Sequence, residues 1–195
     1  MSRTNENKLK MKDIATIGIF GALLFMVTML VGSLMALSMT LQMYSVAIIA
    51  IVSAPLYMLV MAKIHRKGAV ISICAIVGIL WGLLGGFFVL IWMVILGIVG
   101  EILVSKTKYA NYKIMTVSFG FYTIAYYLGA IAPLYYDPAY FHSFGYPDET
   151  YKALIEAAHS PAGYLAIPVT IIAIVLGAVI AKALLKKHFE KAGVI

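Results

Sequence analysis

The sequence predicts an all-α integral membrane protein: a single membrane domain over residues 1–195 with six transmembrane helices, both termini cytoplasmic, and a long extracellular loop between the fifth and sixth helices. Three observations predict it. Hydrophobic residues make up 63% of the 195 residues and charged residues 12%, with a mean hydropathy of +0.98; such a composition belongs to membrane chains rather than soluble domains. Apolar runs recur at the length a bilayer demands, since about 20 helical residues cross a hydrocarbon core of about 30 Å. Lysine and arginine also sort: every one except Lys152 lies in the amino-terminal tail, in 63–67, in 105–113 or at the carboxyl-terminal end. Six helices put those four segments on one face, which the positive-inside rule makes cytoplasmic. The net charge of +7 thus reads as orientation and contact with anionic lipid, not as a nucleic-acid surface.

Taken in order, residues 1–12 are polar and basic, and helix 1 follows over about 13–33. This run is too long for a signal-peptide core and lacks a small-residue cleavage site, so it is expected to be retained. Its small residues Ala15, Gly18, Gly21 and Ala22 recur at helical spacing, and Gly18 and Ala22 form a small-xxx-small pair. Such a face admits the backbone of another helix, either a partner's or one of the chain's own. A Met-rich connection over 33–42 leads to helix 2, about 43–62, which Pro55 is expected to bend. After a basic turn, the apolar stretch 69–104 is too long for one span; Gly85 and Gly86 divide it into helix 3, about 69–84, and helix 4, about 87–104. Helix 5 covers about 114–133 and stops near Pro133. The loop 134–160 has room for a short helix over 150–159, and Pro161 opens helix 6, about 161–185.

The outer loop carries Tyr135, Tyr136, Tyr140, Phe141, His142, Phe144, Tyr146 and Tyr151, with Asp137 and Asp148 between them. A tyrosine offers a flat apolar face and a hydroxyl, which suits a planar, partly polar ligand; an aromatic belt at the headgroups is the other source of such residues. Helix 5 adds Tyr122 and Tyr126, one turn apart. Trp81 and Trp92 flank the Gly85–Gly86 turn at belt depth. The residues expected to touch a ligand are Trp92, Tyr122, Tyr126, Tyr135, Tyr136, Tyr140 and His142, the last as an axial ligand should the cargo contain iron. Apart from Asp13 at the start of helix 1, Glu101 is the one acid inside a span, close enough to the cytoplasmic end to reach Lys106, and reads as structural or coupling. The lone cysteine, Cys74, precludes an intramolecular disulfide. The sequence contains no H-E-x-x-H, nucleophile elbow, P-loop or dinucleotide fingerprint. An enzyme is not expected, nor an intrinsic cofactor or metal site, and energy for uphill transport must come from another subunit.

Six short helices, a Gly/Ala face on helix 1 and a long outer loop before helix 6 make the whole chain resemble the substrate-binding S component of an energy-coupling factor (ECF) transporter, most closely the MptD-like group. In that family helix 1 carries an Ala-xxx-Ala motif that docks on the coupling subunit; the match here is the variant Gly18-Ile19-Phe20-Gly21-Ala22. The resemblance implies a bacterial plasma-membrane protein whose partners are a membrane coupling (T) subunit and two ATPases. Gly18, Gly21 and Ala22 would serve coupling. The subunit would topple in the membrane to carry a vitamin- or cofactor-like nutrient inward; a vitamin, a modified nucleobase and a tetrapyrrole all fit an aromatic site. Nickel and cobalt members carry an amino-terminal Met-His stretch, which Met1-Ser2-Arg3 lacks. The alternatives are a membrane enzyme or accessory protein acting on a lipid or isoprenoid through Asp137, His142 and Asp148, and a stand-alone secondary transporter, which would need deep ionisable residues.

Overall fold

The structure, a computed structural model, describes residues 8–142 and 147–191, apart from the side chains of His142 and Phe189. Those residues are helical and contain no strand, as hydrocarbon demands of a chain that must bond its amides internally. The helices are α1 (Met11–Met35), α2 (Met39–Met43), α3 (Ser45–Lys63), α4 (Ala69–Leu83), α5 (Phe87–Lys106), α6 (Tyr112–Ala130), α7 (Pro133–Tyr136), α8 (Ala139–His142), α9 (Asp148–Ala158), α10 (Pro161–Leu184) and α11 (Lys186–Lys191). Four of them, α1, α3, α5 and α10, are long and apolar enough to cross a membrane. The apolar α4 is shorter, at 15 residues, and the hydroxyl-rich α6 falls outside that group.

Local chemistry sets the boundaries. At the start of α1 the Asp13 carboxylate accepts from the Lys10 amide at 2.8 Å and pairs with Arg66 Nε at 3.1 Å, tying the 64–68 turn to the first helix. Asn111 caps α6 through the Ile114 amide and Ser160 caps α10 through the Gly163 amide, with Pro161 in the first turn where its missing N–H costs nothing. α6 stops earlier than its sequence suggests: the Ile131 and Ala132 amides both turn back to the Tyr127 carbonyl, and Pro133 opens α7. The expected connection 33–42 is mostly the end of α1 and the start of α2. Both α3 and α10 hold an internal proline, Pro55 and Pro168.

In the bundle, α3 is the interior helix, with 67% of its apolar window buried against 22% for α1. It packs on α1, α6 and α10, while α4 bridges α1 to α5 and α5 joins α6. Gly177 permits the closest approach of α10 to α3, since a Cβ there would sit 2.8 Å from the Ala50 carbonyl oxygen. The alternation of direction gathers two ends. At the basic end lie Lys10, Lys63, Arg66, Lys67, Lys106, Lys108 and α11. At the loop end lie α2, the α4–α5 turn and α7 to α9.

Candidate functional site

At the loop end the helices line a half-open cavity of about 300 Å³. α1 contributes Thr28, Met29, Gly32 and Ser33 to its wall, and α2 contributes Gln42. Trp81 enters from the end of α4, and Gly86 and Val89 from the start of α5. Tyr126, Gly129 and Ala130 belong to α6, and Tyr140 and Phe141 of α8 close the loop side.

The α4–α5 turn builds one wall. Gly85 adopts φ +92°, a left-handed conformation that a side chain resists, and the Gly86 amide returns to the Trp81 carbonyl at 2.8 Å. Trp81 is thereby held at the end of its helix with the indole turned onto α1: its Nε1–H donates to Thr28 Oγ1 at 3.0 Å, and Thr28 donates on to the Phe25 carbonyl at 2.7 Å. Phe25 meets the indole edge-on at 5.7 Å, and Tyr126 lies at 5.7 Å on a tilt. Gly129 lets α6 touch α5 backbone to backbone, since a Cβ would come within 2.4 Å of Val89 Cα. Tyr140 latches α8 onto this frame: its hydroxyl donates to the Gly85 carbonyl at 3.0 Å and its ring lies 4.4 Å from Phe88. Burial pushes the Tyr140 phenol above its ordinary range, so it stays a donor at neutral pH.

A second cavity of about 120 Å³ adjoins the first; Ala36, Gln42, Ala130 and Phe141 line both, and Leu134 and Leu154 are among the apolar residues that complete it. No acidic, basic or histidine side chain is among the described residues lining either cavity. Gln42 is distinctive: its Oε1 is buried and has no hydrogen-bond partner among the described residues.

Of the residues singled out in the sequence, Tyr126 and Tyr140 line the larger cavity. Tyr122 lies below it, buried in the core between Tyr57 and Phe119, with its hydroxyl unpartnered among the described residues. Trp92 is half-buried on α5, beside the Tyr136 hydroxyl. Tyr136 is exposed, donates to the Leu128 carbonyl and meets Phe88. Tyr135 clusters with His159 and Tyr164 away from the cavity wall. The His142 side chain and residues 143–146, including Phe144 and Tyr146, lie outside the described residues. Thr28, Gln42 and Trp81 escaped the sequence reading, because hydroxyls and amides near a span end carry no periodic signal and a tryptophan at belt depth looks like an anchor. Phe141 was visible only as part of an aromatic loop.

The small-residue face of α1 divides. Gly21 is buried, and a Cβ there would meet Ile76 Cγ2 at 2.8 Å, so it serves the chain's own α1–α4 packing. Ala15 and Ala22 are exposed, and a Cβ on Gly18 would meet nothing within 4 Å. At the basic end Glu101 turns to α4 rather than to Lys106. Its carboxylate accepts from the amides of Gly68, Val70 and Ile71 at 2.8, 2.9 and 3.3 Å and from the Tyr109 hydroxyl. An acid inside a span is here satisfied by the amides that a helix N-terminus leaves free.

The chain belongs to the Trep_Strep family, described as a hypothetical bacterial integral membrane protein, which matches residues 11–191. No curated protein and no solved structure matches the chain. With several helices apolar enough to span, this is a multi-pass bacterial membrane protein.

Proposed function

We propose that this member of the Trep_Strep family is the substrate-binding S component of an ECF-type importer. It captures a small planar nutrient at the outer surface and delivers it inward with a membrane coupling subunit and two ATPases, which alone use ATP. In this reading α4 and α6 complete six spans, the basic end is cytoplasmic, and the loop end faces outward. The observation that carries the reading is the cavity at the loop end. It is walled by Trp81, Tyr126, Tyr140 and Phe141, bordered by a short helix latched to the α4–α5 turn, and of a size that takes small molecules. The outward face of Ala15, Gly18 and Ala22 supports the coupling role, because it leaves room for a foreign backbone on a helix that is mostly peripheral.

The test uses the chain reconstituted in vesicles with the coupling subunit and ATPases of its host. Gly18→Leu with Ala22→Leu is expected to abolish ATP-dependent uptake and to leave ligand binding by the isolated chain unchanged. Equal loss of uptake and binding would assign that face to folding. Transport by the chain alone, without ATPases, would replace the reading with that of a secondary transporter.

A further inference from the structure

The geometry points to the class of molecule the site takes: a flat ring bearing a short alkyl branch, with the ring in the larger cavity and the branch in the smaller. This rests on the cavity being the nutrient site.

The two compartments differ in lining and in size. Trp81, Tyr126, Tyr140 and Phe141 present ring faces and edges to the larger one, where a flat ring gains the offset and edge-on contacts that aromatic pairs favour. The smaller one is built by other elements: Met39 comes from α2, Leu134 from α7 and Leu154 from α9, and Ile131 lies between α6 and α7. Its volume, about 120 Å³, is below the roughly 150 Å³ of an apolar cavity that takes benzene. It equals that of about four waters in the liquid, which suits a chain of about four carbons rather than a second ring. Leu134 and Leu154 are only 1% and 6% exposed, so this wall is part of the packed core.

The junction lets one molecule occupy both. Ala36, Gln42, Ala130 and Phe141 line both cavities, and the two alanines end in a single methyl, which leaves width for an alkyl chain to pass. The larger cavity is half-open, so polar or charged groups on the ring can stay at its mouth. The smaller compartment selects the branch. Each methylene moved from water onto Leu134 and Leu154 gains about fourfold in affinity.

The two tryptophans make a direct test possible. In the full chain carrying Trp92→Phe, emission comes from Trp81 alone, inside the cavity wall. The probes are the para-methyl, para-ethyl, para-propyl and para-butyl members of the benzamide series, titrated in lipid nanodiscs. Each is expected to change Trp81 emission saturably. Leu154→Phe fills the smaller compartment from its buried wall, and Thr150→Phe fills it from a half-buried position on the same helix. Every affinity is divided by that of the Trp92→Phe parent at the same lipid concentration, which cancels partition of the longer members into lipid. Both variants should leave the methyl member unchanged and weaken the butyl member about tenfold or more. Gly32→Leu lines only the larger cavity, at a position where a Cβ meets no protein atom within 4 Å, and should weaken all members alike. Absence of a saturable change with every member overturns the assignment. So does a loss in Leu154→Phe and Thr150→Phe that is the same for methyl and butyl, or a series that Gly32→Leu leaves untouched. Failure of the importer reading is separate. Length-dependent binding without ATP-driven uptake leaves the ligand class standing, and ATP-driven uptake with length-independent binding removes the ligand class and keeps the importer.

Discussion

Glu101 is where a single side chain has the most to hold. The amides of Gly68, Val70 and Ile71 and the Tyr109 hydroxyl converge on it, and hydrogen bonds to a charged group contribute about 1.5–3 kcal/mol each. Glu101→Gln keeps one acceptor but turns an NH2 towards donors; it should destabilise the fold by about 2 kcal/mol and Glu101→Ala by more. Thermal unfolding in detergent measures both, and hydrogen exchange should localise the loosening to the Gly68–Ile71 amides. The contact is held by an unusual turn, since Lys108 and Tyr109 have φ of 52° and 58°. Burial, followed by the Glu101 contact, pushes the Tyr109 phenol above its ordinary range. A raised folded-state pKa stabilises fully below the unfolded value of about 10 and is lost as pH climbs past it. Protection of the α4 start should therefore hold from neutral pH to about 9 and fall above 10, and Tyr109→Phe should remove that alkaline step; an identical profile in the variant would place the step elsewhere. The sequence marked Glu101 as an intramembrane acid but not its partners, because the Gly68 turn lies more than thirty residues away and only packing of α5 on α4 brings it close.

Elements were more legible than contacts. Each apolar run in the sequence corresponds to a helix, because hydrocarbon leaves the backbone no other local solution, and Gly85 and Gly86 made the α4–α5 turn readable. The short elements were not readable to the same degree. α2 and α8 arise in segments whose composition is ambiguous between loop and helix, and they supply Gln42, Tyr140 and Phe141 to the cavity. Equally, helical spacing grouped Gly21 with Gly18 and Ala22, yet only the arrangement of α4 decides that Gly21 faces Ile76. At this scale α8 acts as a cover held by the Tyr140 hydroxyl on Gly85. Tyr140→Phe keeps the ring on Phe88 and removes the hydroxyl with its bond to Gly85, a loss of about 1 kcal/mol or more. The cavity should then release a bound probe about fivefold faster with little change in association, as stopped-flow emission of Trp81 would record. An unchanged dissociation rate would mean that α8 does not control exit.

For the whole molecule, the fold turns the sorting of charge into two unlike ends. The up-and-down course of α1, α3, α4, α5, α6 and α10 along the chain collects Arg66, Lys67, Lys106 and Lys108 at one end, and the isolated Lys152 on α9 lies at the other. Lysines flanking spans resist translocation, so the crowded end should remain in the cytoplasm. The lone cysteine allows this to be read directly. Cys74 is buried against α5, where a Cβ on Gly97 would meet its Cβ at 2.8 Å, and Cys74→Ala should cost about 1 kcal/mol, leaving a foldable background without thiols. Lys67, Lys106 and Lys152 are all exposed. In that background Lys152→Cys should react with a membrane-impermeant maleimide on intact cells, whereas Lys67→Cys and Lys106→Cys should react only once the membrane is permeabilised. Labelling of Lys67→Cys on intact cells, with Lys152→Cys protected, would invert the molecule. The cavity would then open to the cytoplasm, and a protein that captures nutrients from outside could not be built on this arrangement. Labelling of Lys67→Cys and Lys106→Cys on opposite sides would instead mean that α4 and α5 do not both span, and would separate the packing of the bundle from its passage through the bilayer.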